Sequence, residues 1–562
     1  MPKDWLRLTT HRLDIYNEEL AKTEFLEHFE NLFNTNDSDS KALNELPTAF
    51  DYIRLGHPLS SVLEWAIAKS NNLKADQVIS FSSTIIPVMA ILRKNLFEKK
   101  STHIFYTGEL PDAFDAEVVK NIYGYNFEVT KVEKSEDVSH FDGSTIFLSQ
   151  ENKISNAELH PPIDFSINVH DQLGSVILVN GDRNESYLAE IQHVRRRETI
   201  AMTPANCKAA LQLFIGETPV IAQPNDPHKA SVLETIQSIT GTSSKGLVAS
   251  SGLSIQYAIV MGLVHHAREN HTGKGIRIVV PPNCYGGTND QARRVAACLS
   301  DVEIVDFPVD AGNDMVRSIE TILDKIANED AIPYIIAEIP TNPRVEVPNL
   351  EKLRDALGKE RKTSNGKRAI DPVFILDQTF CPNVRFLGEQ DILSTARTIS
   401  YVSGSKFPSG GLCTAGYCVA NKKAEGLMKK IGLHLGLCDN EATPLQYDIL
   451  AKQMPSMLQR INEAYINTRE FVSFIEEKLP EAKINFVSEE LANQDFTPSV
   501  FSLDLPTKGD TDEERETYKR ALNLKLINLM ISEIPDESKY CVSYGQLKGP
   551  RHPGQRGERL SA

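Results

Sequence analysis

The chain has 562 residues, 41% hydrophobic and 24% charged, enough apolar content to bury large cores and too much for a disordered tail. At roughly 100–200 residues per domain this makes about three to five domain-sized units. A net charge of −16, from 60 basic and 76 acidic residues, argues against general nucleic-acid binding, which needs basic surface to neutralise phosphates. No apolar run reaches the ~18 residues of a membrane span. The start Met1-Pro2-Lys3-Asp4-Trp5-Leu6-Arg7 has no apolar segment and no small-residue cleavage site, so no secretion signal is read and a cytoplasmic location is expected. The eight cysteines form no CxxC pair and no zinc-spaced cluster; reduced thiols and no metal site are expected.

In chain order, Asn34 to Asn44 is polar and linker-like. Tyr52-Ile53-Arg54-Leu55-Gly56-His57-Pro58 then leads to Ser61-Val62-Leu63-Glu64, and about 170 residues later Gln223-Pro224-Asn225-Asp226-Pro227 leads to Ser231-Val232-Leu233-Glu234. Phe81-Ser82-Ser83-Thr84 pairs with Ala249-Ser250-Ser251-Gly252 at nearly the same offset. Gly174-Ser175-Val176 with Thr203-Pro204 matches Gly416-Tyr417-Cys418 with Thr443-Pro444, now about 240 residues away. The common order predicts a degenerate duplication whose first copy has lost about 70 residues; the alternative is coincidence between two ordinary α/β units. Apolar runs at Ile276–Val280, Tyr334–Glu338 and Val373–Asp377 alternate with helical patterns such as Asp314 to Asn328. That alternation predicts a mostly parallel sheet flanked by helices. A last helix is predicted over Gln459 to Lys478, and the basic, Gly/Pro-rich tail Lys548 to Ala562 is expected to be disordered.

Five motifs carry chemistry. Ala249-Ser250-Ser251-Gly252-Leu253-Ser254 opens a helix-like stretch, where bare backbone N–H groups attract an anion or serine merely caps. Tyr285, on the Gly-rich turn Cys284-Tyr285-Gly286-Gly287-Thr288, is a candidate to stack on a flat cofactor, or is an ordinary turn tyrosine. In Glu338-Ile339-Pro340-Thr341-Asn342-Pro343, Asn342 either reaches a ring hydroxyl or belongs to an Asn-Pro turn. Asp377 ends an apolar strand, where open α/β sheets bind ligands; it could keep a pyridine nitrogen protonated or cap the next turn. Lys406, in Ser403-Gly404-Ser405-Lys406 after an apolar stretch, either forms a Schiff base beside phosphate-binding hydroxyls or is an exposed loop lysine.

The ordered set SSGLS, YGGT, E-x-PTNP, LDQTF, SGSK resembles the Cys/Met-metabolism family of pyridoxal-phosphate enzymes, cystathionine γ-synthase-like, over Gln223 to about Gln459. The resemblance implies the α/β fold type I of the aspartate-aminotransferase kind. It divides the chain into a degenerate N-terminal unit (1–212), a large cofactor-binding domain with a mostly parallel sheet (213–445), a smaller C-terminal α/β domain (446–546) and a tail (547–562). It implies pyridoxal 5′-phosphate as cofactor, with Lys406 covalently linked and moving protons, Asp377 on the ring nitrogen, Tyr285 stacked and Asn342 on the ring hydroxyl. Ser251, Gly252, Leu253, Ser403 and Ser405 would bind the phosphate. Tyr52 and Arg54 match an element that in the family comes from the neighbouring subunit, and the second copy has Ile221 and Gln223 there. The N-terminal unit is therefore expected to act as a built-in pseudo-subunit, within one chain or across a dimer; the alternative is a domain retained for packing.

The implied activity is trans-sulfuration, replacement at Cγ of an activated homoserine by cysteine or another thiol, with carbon–sulfur lyase chemistry or an inactive binding homologue as alternatives. Small amino acids are the expected partners, in a homo-oligomer without nucleic acid or membrane. One departure stands out. Cys541 occupies the place of the arginine with which relatives grip the substrate carboxylate; Arg551, Arg556 or Arg559 could substitute, or they belong to a disordered basic tail.

Overall fold

The computed structural model describes residues 1–8, 20–47, 49–50, 52–150, 154, 159–309 and 314–534. Two sheets organise the chain. The first uses β1 (Val78–Phe81), β2 (Thr102–Thr107), β3 (Phe127–Lys131), β4 (Ser144–Ser149), β5 (Phe165–His170) and β6 (Gly174–Val179), in the order β1-β6-β5-β4-β2-β3. The second uses β7 (Leu247–Ala249), β8 (Ile276–Val280), β9 (Val302–Asp306), β10 (Ile332–Glu338), β11 (Val373–Asp377), β12 (Arg397–Ser403) and β13 (Gly416–Ala420), in the order β7-β13-β12-β11-β10-β8-β9. Strands buried on both faces, as in β6, β10, β11 and β13, read as continuous apolar runs because helices cover both sides of the sheet.

The two sheets share a pattern of pairing. In each, an antiparallel edge strand and an antiparallel neighbour (β1 and β6; β7 and β13) precede a run of parallel strands. The first sheet has one parallel strand fewer. The connection from β12 to β13, which carries Lys406, spans 404–415, whereas β5 passes to β6 through 171–173 alone. The first sheet's turn has no room for a lysine loop and contains no lysine.

One large core runs between the units, joining Ile79, Phe81 and Met89 to Ile255, Ile259 and Ile278. The helix Gly252–Asn270 lies at its centre. It packs on the helix Met428–Leu437 so closely that a Cβ on Gly262 would stand 2.8 Å from the backbone of Ile431. The chain beyond 445 contributes the helix Met457–Lys478, the two-stranded ribbon β14 (Lys483–Asn485) with β15 (Ser502–Asp504), and the helix Asp512–Glu533.

Most predicted elements fall within a few residues of the observed ones. Asp314 caps its helix rather than opening it, accepting from Arg317 N (2.9 Å), so the helix is Met315–Asn328. The polar stretch 34–44 contains a short helix, Ser40–Asn44, started by the Asp39 carboxylate. Helices Pro204–Phe214 and Pro444–Gln453 cross the expected boundaries at 212 and 445. Tail residues 547–562 lie outside the described residues. The seven cysteines among the described residues are free.

Candidate active site

Parallel β10, β11 and β12 bring their carboxyl ends to one edge, and strand register decides which side chains meet there. Glu338 is paired with Asp377, and Asp377 with Tyr401. Both carboxyl groups are buried, at 7% and 9% exposure. Asp377 Oδ1 accepts from Thr379 N (2.8 Å), and the Thr379 hydroxyl oxygen in turn accepts from Ser403 N (3.0 Å), tying Asp377 to the Lys406 turn. Glu338 accepts from the backbone N–H groups of Tyr285 (2.8 Å) and Asn342 (3.2 Å), so one carboxyl group fixes two of the predicted loops.

Beside this edge stands the start of the helix Gly252–Asn270. Ser251 Oγ accepts from Ser254 N (3.1 Å) as its cap. The first amides, Gly252 and Leu253, have no carbonyl partner within the helix and carry its positive dipole end. A Cβ on Gly252 would lie 3.0 Å from Ser403 Cβ and 3.1 Å from its Cα. Glycine thus lets the helix end rest against the serine turn, where Ser403 Oγ and Ser405 Oγ are 3.0 Å apart.

The N-terminal unit reaches this site within the same chain. Arg54 Nη2 donates to Tyr285 Oη (3.3 Å), and its guanidinium carbon stands 4.3 Å from the centre of the Tyr52 ring. Arg54 is 2% exposed, and its Nε has no hydrogen-bond partner among the described residues. The loop bearing it is held from below. Ala201 N donates to Arg54 O (3.1 Å), and buried Arg195 donates to Leu55 O and to Glu64 Oε1 (2.8 Å). Glu64 also takes the buried ammonium of Lys22 (2.6 Å). Burial alone would raise the Glu64 carboxyl group, yet Lys22 and Arg195 outweigh it and hold it down to about 2.

These groups titrate abnormally. Burial and the neighbouring Asp377 push Glu338 up to about 8. Burial also raises Asp377, opposed by its bonds from Thr379 and Tyr401 and by the charge of Lys406. Burial would raise the Tyr285 phenol, but Arg54, Lys406 and Arg197 pull it down to about 8.

Tyr52, Arg54, Tyr285, Asp377 and Lys406 therefore act on one another across one small region, with Ser251, Gly252, Ser403 and Ser405 at its flank. Leu253 is buried beside the Gly287 turn. Asn342 reaches the site through its backbone, and among the described residues its side chain makes no hydrogen bond. Cys541, Arg551, Arg556 and Arg559 lie outside the described residues. Sequence reasoning missed Glu338 as a titrating partner and Arg197 as a neighbour of Tyr285. Glu338 carried a signal, an acid ending an apolar strand like Asp377; Arg197, within an arginine triplet, carried none.

No family model matches the chain, and no curated protein matches it. Among solved structures it is similar to metB from Corynebacterium glutamicum, at 18% identity and TM-score 0.35 over 49% of this chain and 65% of that one. It is similar to cystathionine γ-lyase from yeast (18%, 0.36, 46% and 58%). It is likewise similar to cystathionine γ-lyase from Lactobacillus plantarum complexed with L-serine (20%, 0.37, 50% and 66%). The match thus spans less than two thirds of each of those chains. Among the described residues no helix is long and apolar enough to cross a membrane, and no group of three or more His, Cys, Asp or Glu could hold a metal ion.

Proposed function

We propose that the chain is a pyridoxal-phosphate enzyme of sulfur amino-acid metabolism. The observation carrying this reading is the convergence of Lys406, Asp377, Tyr285 and Arg54 at the carboxyl edge of the second sheet. The residues fit the cofactor. Arg54 has a buried, unsatisfied N–H, which suits a phosphate, and the Gly252 and Leu253 amides with the hydroxyls of Ser403 and Ser405 suit its remaining oxygens. Asp377 suits a ring nitrogen and Tyr285 a ring face. Bound there, pyridoxal phosphate supplies an electron sink for a substrate's Cα–H bonding pair.

The chain's own residues do the rest. Lys406 Nζ is the group that holds the cofactor and then receives the α-proton. Burial raises both Glu338 and Asp377, and the neighbouring Asp377 pushes Glu338 up further, so the pair holds one proton more readily than two separate carboxyl groups would, and its remaining charge suits a ring nitrogen. Tyr285, with a phenol lowered to about 8 by three cations, can give or take a proton near neutrality. That supply of two proton-transfer groups suits elimination or replacement at Cγ, which needs protons moved at Cα and Cβ. We assign γ-replacement on an activated homoserine by a thiol, cystathionine γ-synthase-like. Carbon–sulfur lyase chemistry is the second reading, because the same two groups serve it.

The test is chemical. Borohydride reduction of the purified chain with pyridoxal phosphate, followed by peptide mapping, should place a pyridoxyl label on Lys406, and Lys406→Ala should abolish it. Absence of a label on the wild-type chain would overturn the reading. Incubation with O-acylhomoserine and cysteine then separates cystathionine from keto acid as product.

A further inference from the structure

An amino-acid substrate brings a carboxylate that must be held while the cofactor acts, and a guanidinium is the side chain best matched to it. Three cations act on the Tyr285 phenol: Arg54, Lys406 and Arg197. Arg54 is almost wholly buried, which suits an anion that arrives once and stays. Lys406 is the attachment point. Arg197 is different: its side chain keeps 18% exposure, as a contact that exchanges with solvent must.

Arg197 is also built into the site. Its Nη1 and Tyr285 Cε1 lie 3.2 and 2.7 Å from the point where a Cβ on Gly287 would stand. Gln291 Nε2 donates to Arg197 O (2.8 Å) and to Leu253 O (2.9 Å), locking the end of the helix Ser186–Glu198 to the helix that opens at Gly252. Asp290 Oδ2 stands 3.0 Å from Arg197 Nε and takes a contact from His193 Nε2 (2.8 Å), which orients the guanidinium from its far edge. The Nε hydrogen itself finds no acceptor in hydrogen-bond geometry among the described residues.

We infer that Arg197, supplied by the N-terminal unit, receives the α-carboxylate of the amino-acid substrate. The inference rests on the proposed function and adds a specificity-determining residue to it. An amino acid would then be held between two halves of one chain, its carboxylate on Arg197 and its reacting carbon toward Lys406.

The experiment uses the full chain loaded with pyridoxal phosphate, titrated with L-methionine and with L-methioninamide and read by the cofactor's visible absorption. The wild type should prefer the acid. Arg197→Gln should weaken methionine binding about ten- to a hundredfold, leave methioninamide binding and cofactor affinity unchanged, and be partly rescued by Arg197→Lys. Unchanged methionine affinity in Arg197→Gln would overturn the inference. Loss of cofactor affinity instead would place Arg197 on the phosphate and overturn it equally. If the wild-type chain takes no pyridoxyl label at all, the proposed function falls and the inference with it, a result distinct from either.

Discussion

Glu338 and Asp377 face each other at the ends of adjacent parallel strands, so two buried carboxyl groups compete for one proton. Burial and Asp377 raise Glu338 from its ordinary 4.5 to about 8. A folded carboxyl group that binds its proton more tightly than the unfolded one gives stability that is complete below 4.5 and is lost as pH rises to about 8. Within that window one such group removes up to about 1.4 kcal/mol per pH unit. Glu338→Gln, which keeps the shape without the titration, should flatten the fall in urea midpoint across the window; an unchanged slope would count against the assignment. The positions of Asp377 and Lys406 were legible because Asp377 ends an apolar strand and Lys406 lies in the turn just beyond one. The Glu338 proton was not, since it depends on the register of β10 on β11, which no single strand contains. Arg197 was hidden for a similar reason: its neighbours Tyr285 and Gly287 are about 90 residues distant in the chain, and only the fold-back of one unit on the other joins them.

Among elements, the helix Gly252–Asn270 does two jobs. Its first turn offers amides to the site, and its middle fixes where that turn sits. Gly262 meets the backbone of Ile431, whose Cα and N stand 2.8 Å from a would-be Cβ. That is too close for any side chain, and the obstacle is backbone rather than a movable tip. Gly262→Ala should therefore force the helices apart. Overpacking of this kind costs about 1–3 kcal/mol, more than the ~1 kcal/mol alanine gains over glycine in a helix. A lowered urea midpoint together with weaker pyridoxal-phosphate binding would link the two jobs; a midpoint unchanged or raised would show that the helices yield cheaply. The existence of this helix was readable from its apolar run and serine cap. Its close approach to a neighbour was not, because one glycine in an apolar helix says nothing of what lies opposite.

At the scale of the molecule, the two units are unequal in a way that bears on how many sites a chain holds. Whereas Ser251 directly caps the helix Gly252–Asn270, the turn at Ser83 and Thr84 precedes the helix Ile86–Glu98, and Ser83 Oγ accepts from Ile85 N (3.1 Å) and Ile86 N (3.0 Å). There the anion's place is taken from within: Thr84 N and Oγ1 both donate to Asp439 Oδ2 (2.9 Å each). A carboxylate seated on that turn repels a phosphate, and the short 171–173 connection offers no lysine. On the proposed function, the first unit contributes Tyr52, Arg54 and Arg197 to the site of the second. The proposed function then expects one cofactor per chain, with Arg54, which meets Tyr285 of its own chain, serving the site of that same chain. Arg54→Ala should weaken pyridoxal-phosphate affinity about ten- to a hundredfold. Mixing Arg54→Ala chains with Lys406→Ala chains should then restore nothing: each Lys406 would still lack its arginine, and a titration of the mixture should equal the sum of the two. Recovery of a tight-binding fraction would mean that arginines cross between chains, and the built-in pseudo-subunit would have to give way to an exchanged one.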